Sequence, residues 1–98
     1  MTVASLRMLR KANVDQYMHK VMLVDDEPDI LDVVSRGLEM FGIEVHAFNT
    51  PIKALSHFRP GYYDAIILDI KMPEMSGFEL ARKIWQSSKF KNMFLFSL

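Results

Sequence analysis

Ala65-Ile66-Ile67-Leu68-Asp69-Ile70-Lys71-Met72-Pro73-Glu74-Met75-Ser76-Gly77 carries the strongest structural signal in the chain. An unbroken apolar run of strand-forming residues ends in a carboxylate, and a loop punctuated by Pro73 and Gly77 follows. A run that does not alternate predicts a strand buried on both faces, as in a parallel sheet between helices. Ligands of such sheets bind beyond the carboxyl ends of the strands, which is where Asp69 stands. Lys20-Val21-Met22-Leu23-Val24 repeats the pattern and runs into Asp25-Asp26-Glu27-Pro28. Two neighbouring parallel strands that end this way bring Asp25, Asp26 and Asp69 to one edge. That edge is the predicted site.

The bulk numbers agree with a small globular domain. A chain of 98 residues holds one domain, near the small end of what can bury a core. Half of it is apolar and 24% charged, an ordinary composition that argues against disorder. Twelve basic residues balance twelve acidic ones, so no global charge draws the chain to nucleic acid or membrane. The lack of cysteine excludes disulfide and thiolate chemistry and suits a reducing compartment. No apolar run is long enough to span a bilayer, and Arg7, Arg10 and Lys11 lack the apolar stretch of a secretory signal. These features predict a soluble, cytoplasmic protein without direct nucleic-acid or membrane contact.

Residues 1–19 read as an N-terminal extension and residues 20–98 as the domain. In the extension Val3, Leu6, Leu9 or Arg10, and Ala12 are spaced for a short amphipathic helix; a loosely ordered terminus, or residues upstream of a start at Met18, are the other readings. After the first strand, Pro28 suits a first helical turn, with acidic residues around it that favour the helix dipole. Ile30, Val34, Leu38 and Phe41, with Leu31 beside them, predict a helix that buries one face until Gly42 stops it. Glu44 to Phe48 reads as a short, partly exposed strand. Thr50-Pro51 caps a helix through Ile52, Leu55 and Phe58, which Pro60-Gly61 ends. A third helix begins at Gly77 or Phe78 and shares a face of Phe78, Ala81, Ile84 and Trp85. Gln86 to Lys91 form a loop, and Met93 to Phe96 a fourth buried strand. Strands alternating with helices of this length imply right-handed crossovers and a parallel sheet.

Carboxylates gathered at strand ends repel one another unless something neutralises them. Oxygen ligands at low count suit Mg²⁺, which keeps several waters and takes one or two carboxylates and a phosphate oxygen. A carboxylate beside such an ion can attack phosphorus and form an aspartyl phosphate. Asp69 is the better nucleophile, because it ends the most apolar strand. Asp25 and Asp26 are the better metal ligands. A lone Asp-Asp pair after a strand is most often a solvated loop; the second strand end and the Met72-Pro73 loop weigh against that here.

Leu23-Val24-Asp25-Asp26-Glu27-Pro28 and Leu68-Asp69-Ile70-Lys71-Met72-Pro73-Glu74-Met75-Ser76-Gly77 together resemble the receiver domain of two-component response regulators. The resemblance covers roughly Lys20 to Leu98. It implies an α/β fold of the flavodoxin-like (CheY-like) kind, with strand order 2-1-3-4-5 and helices on both faces. It implies that Asp69 is the phosphoacceptor and Asp26 a Mg²⁺ ligand, with Asp25 acting through a water and the Lys71 backbone carbonyl as a further ligand. Ser97 falls where the family keeps a hydroxyl that turns toward the phosphoryl group. The implied donors are histidine kinases or phosphotransfer proteins, and the implied output is protein contact.

The same likeness marks what is missing. Family members continue beyond this serine with a fourth helix, a fifth strand bearing a lysine, and a fifth helix. Without the fifth strand the fourth becomes an apolar edge, which invites pairing with another chain. A homodimer, completed through that edge or by swapped elements, is the expected assembly; the N-terminal segment folding back is the alternative. A receiver that binds partners without switching is the alternative function. An enzyme of the haloacid-dehalogenase phosphatase type is disfavoured, because it needs an aspartate where Lys71 stands. His19, His46 and His57 show no ligand spacing, and the eight methionines fall singly as core filler. Trp85 reads as packing, Tyr62-Tyr63 as partial core cover, and Lys89 and Lys91 as a solvated pair.

Overall fold

The protein is described by a computed structural model covering residues 19–97. The expected helix among the first residues therefore lies outside the described part. Among the described residues seven elements alternate: β1 (Lys20–Val24), α1 (Pro28–Glu39), β2 (Glu44–Phe48), α2 (Pro51–His57), β3 (Ala65–Asp69), α3 (Gly77–Ser88) and β4 (Met93–Phe96). The strands form one parallel sheet in the order β2-β1-β3-β4. The first crossover steps one way along the sheet and the next two step back. Right-handed connections therefore place α1 on one face and α2 and α3 on the other.

The core lies under α2 and α3. Met22 and Val24 of β1 and Ile66 and Leu68 of β3 meet Ala54 of α2 and Leu80 and Ile84 of α3, all fully buried. Each large aliphatic side chain removed from water here contributes about 1.5–3 kcal/mol. Tyr63 and Met72 close the ends of this layer. Loops set the helix starts. The Thr50 hydroxyl accepts from the Lys53 N–H at 3.1 Å, and the Ser76 hydroxyl from the Glu79 N–H at 3.2 Å.

Element order agrees with the sequence reading; several buried faces do not. No residue of α1 is fully buried, and Phe41 is 69% exposed. The helix ends at Glu39 because the N–H groups of Phe41 and Gly42 turn back to the carbonyls of Leu38 and Glu39, both at 3.0 Å. Phe41 therefore leaves the stripe that Ile30, Val34 and Leu38 share. On α2, Pro51 and Ala54 face the core and Ile52 points away. On α3 the buried stripe is Gly77, Leu80 and Ile84, while Phe78 and Trp85 are exposed on the neighbouring stripe. Sequence reading anchors that face on Phe78, since a glycine carries no apolar signal.

The end of α3 also differs from expectation. The helix runs on through Ser88 and is closed by Lys89 in the left-handed conformation, φ 60°, with its N–H on the Trp85 carbonyl at 2.7 Å. The Lys89 ammonium lies 3.9 Å from the centre of the Trp85 ring, so this lysine is a helix cap with a cation–π contact, not a plain solvated residue. The strand β4 is half-buried. Met93 and Leu95 turn to the core, and Phe94 is exposed on the other side. His46 sits at the core edge, Nε2 2.7 Å from Glu44 Oε2 and Nδ1 3.1 Å from the Tyr63 hydroxyl.

Candidate functional site

Register brings the acidic residues together. Val24 pairs with Leu68 in the ladder, so the residues that follow them, Asp25 and Asp69, leave the sheet side by side. Carboxylate oxygens of Asp25, Asp26 and Asp69 all lie within 4.8 Å of one another. Asp25 is 2% exposed, Asp69 8%, and Asp26 half-buried. A cleft of about 140 Å³ opens above them, lined by Asp25, Asp26, Glu27, Ile30, Asp69 and Lys71.

Local backbone holds two of the three carboxylates. Asp25 Oδ1 accepts the Glu27 N–H at 2.9 Å, and the Asp25 N–H donates to the Phe48 carbonyl at 3.2 Å. Asp69 Oδ1 accepts the Lys71 N–H at 3.2 Å, a turn closed by the side chain. Burial pushes the Asp25 carboxyl above its usual range; the Glu27 N–H opposes this, and the charges of Asp69, Asp26 and Glu27 add to it. The cluster thus concentrates negative charge in a small, oxygen-lined space. Its donors fit a hard divalent cation, and a small one keeping most of its waters suits both the donor count and the size of the cleft.

The expected site residues are distributed as follows. Asp25, Asp26, Asp69 and Lys71 share the cleft. Ser97 follows Phe96, which pairs with Asp69 and accepts the Ile70 N–H at 2.8 Å, but Ser97 is exposed and outside the cleft lining. Glu27 and Ile30 line the cleft without having been singled out. The acidic run Asp25-Asp26-Glu27 carried a signal for the first; Ile30 enters only because α1 begins at once. A larger groove of about 480 Å³ runs between α1 and β2, past Leu31, Ser35, Ala47 and Lys53. It holds no cluster of ligating groups, and its Asp32 is paired with Arg36 at 3.1 Å.

Comparison with known proteins agrees with this geometry. The response regulator receiver domain family matches residues 21–97. Histidine kinase 3 of Arabidopsis thaliana is 41% identical over 66 residues, which is 66% of this chain and 6% of that protein. The chain thus spans only a few per cent of the length of the first curated relatives it matches, 6% and 4%. Among solved structures, the response regulator TrrA of Thermotoga maritima in complex with Mg²⁺-BeF superposes with a TM-score of 0.76 at 36% identity. The match covers 82% of this chain and 70% of that one. The complex of histidine kinase ThkA with TrrA matches with a TM-score of 0.75, also at 36% identity, over 82% of this chain and 69% of the other.

Proposed function

This chain belongs to the response regulator receiver domain family of two-component signalling, and from that membership we propose that it is a phosphoacceptor switch acting through Asp69. The donor is a phosphohistidine on a kinase or phosphotransfer protein. A carboxylate oxygen of Asp69 attacks phosphorus, and the phosphorus–nitrogen bond breaks. The departing imidazole nitrogen keeps the electron pair and takes up a proton. Asp26, Asp69 and the Lys71 carbonyl would hold Mg²⁺, with Asp25 reaching it through a water. Bound there, the ion supplies charge that offsets the transferring phosphoryl group. The added phosphoryl charge then alters the nearby surface and its partner contacts. In this reading the chain is a switch with its chemistry on its own aspartate, acting in the cytoplasm, where a kinase donor would meet it.

One observation carries this reading: three carboxylates within 4.8 Å at the ends of two adjacent parallel strands, the acceptor candidate nearly buried. Incubation with Mg²⁺ and acetyl phosphate, followed by intact mass, tests it. Wild type gains one phosphoryl group, and Asp69→Asn gains none. A folded wild type that gains nothing removes the acceptor role.

A second reading, binding without switching, is favoured by the exposure of Ser97 outside the cleft lining. Phosphorylated protein whose β4 amide resonances match those of the unmodified protein would support it. We also read β4 as a self-association edge: Phe94 is 60% exposed, and among the described residues β4 pairs only with β3. Sedimentation of wild type against Phe94→Glu checks this. A homodimer dissociated by the substitution is expected, and a wild-type monomer at micromolar concentration sinks it.

A further inference from the structure

We propose that Gly77 is a positioning residue for phosphoryl acceptance, keeping the strand end that carries Asp69 in its working geometry. The inference rests on the acceptor role of Asp69. Gly77 opens α3 and is buried against the end of β3. A Cβ built on it falls 2.9 Å from the Asp69 carbonyl carbon and 3.0 Å from the Ile70 Cα, and nearer still to the Asp69 carbonyl oxygen. These are backbone atoms with no rotamer to yield. Any side chain at this position therefore moves the start of α3 away or turns the Asp69–Ile70 peptide.

Ile70 is held through both of its backbone polar groups. The Ile70 N–H donates to Phe96 of β4 at 2.8 Å, and the Ile70 carbonyl accepts the Gly77 N–H at 2.9 Å. The next residue is Lys71, whose N–H rests on Asp69 Oδ1 and whose carbonyl is a ligand in the proposed site. Gly77, Ile70, Lys71 and the Asp69 carboxylate thus form one short chain of contacts. A glycine elsewhere is not under the same constraint: a Cβ on Gly37, in α1, meets nothing within 4 Å.

The test compares Gly77→Ala with Ser76→Ala, which weakens the same helix start through its cap and leaves the close approach intact. Thermal melting first establishes that each variant is folded at the assay temperature. Three readouts follow: Mg²⁺ affinity by calorimetry, the Mg²⁺ dependence of labelling by acetyl phosphate, and the amide resonances of Asp69 to Lys71 without metal. Gly77→Ala is expected to weaken Mg²⁺ affinity and lower labelling by about 10–100-fold, the range for groups that orient ligands. Its Asp69–Lys71 amides shift before any metal is added, while Ser76→Ala stays near wild type on all three. If Gly77→Ala does not fold, one glycine inserted between Met75 and Ser76 frees the helix from the strand end without adding a Cβ, and the same losses are expected. Wild-type Mg²⁺ affinity and labelling in a folded Gly77→Ala, or in the insertion variant, overturn the positioning role while leaving Asp69 as acceptor. A wild type that is never labelled overturns the acceptor role and the positioning role with it.

Discussion

Two strands end in carboxylates in this molecule, and their ends are built differently. Beyond β3 the chain makes the loop Ile70 to Ser76 and enters α3 through a side-chain cap. That helix buries Gly77, Leu80 and Ile84 against the sheet. Beyond β1 the chain passes through Asp25 and Asp26 into α1, whose cap position, Glu27, makes no side-chain bond and whose helix buries no residue fully. The acceptor candidate thus stands on an end braced by the core. The other two carboxylates, Asp25 and Asp26, stand on an end where Asp25 is held by short contacts to the Glu27 N–H and the Phe48 carbonyl. Nucleophilic attack demands an atom held in place, whereas an ion that keeps several waters takes only one or two carboxylates from the protein.

The largest effect expected from this asymmetry is on labelling itself. Asp69→Asn abolishes the phosphoryl gain, while Asp25→Asn keeps it and weakens Mg²⁺ affinity by about 10–100-fold. Intact mass and calorimetry read the two, and equal loss of labelling in both variants would erase the distinction between the ends. Next comes the bracing. Leu80→Ala should destabilise by about 2–5 kcal/mol in urea unfolding, and Val33→Ala on the exposed side of α1 by no more than about 0.5 kcal/mol. Comparable losses would mean that α1 is as deeply anchored as α3. A smaller contrast lies in the caps: Ser76→Ala costs about 1 kcal/mol, and Glu27→Gln stays within about 0.5 kcal/mol.

The smallest effect is a pH dependence confined to the β1 end. Asp25 is held above its usual value of 3.8 in the folded state, first by burial and then by its acidic neighbours. The folded protein therefore binds this proton more tightly than the unfolded chain does. The associated stability is full below the unfolded value and is lost as pH rises through the higher folded one. Metal-free wild type should lose stability relative to Asp25→Asn across that acidic window. Parallel pH profiles of melting temperature for the two proteins would count against the assignment.

Much of this was legible in the chain. The runs Val21–Val24 and Ala65–Leu68, each ending in aspartate, announced a parallel sheet and the convergence of Asp25, Asp26 and Asp69, because strand pairing carries neighbouring ends to one edge. Thr50 and Pro51 announced α2 through local chemistry that needs no distant partner. Less legible was the face each helix buries. The α3 sequence predicts a face of Phe78, Ala81, Ile84 and Trp85; Ile84 is buried and Ala81 packs on the core, but Phe78 and Trp85 are exposed, and Gly77 and Leu80 complete the buried stripe.

Short-range pattern in the sequence is therefore enough for the order of elements, the Thr50 cap of α2, the sheet type and the identity of the acidic cluster. The remainder depends on how the elements pack. That Gly77 must lack a Cβ, that Lys89 ends α3, that Glu27 and Ile30 border the cleft, and that Ser97 lies outside it all depend on distances between groups. Several of those groups are far apart in the chain, and the close ones meet through a backbone turn. Periodicity says that a stripe exists; close approach of one backbone to another says which stripe is buried.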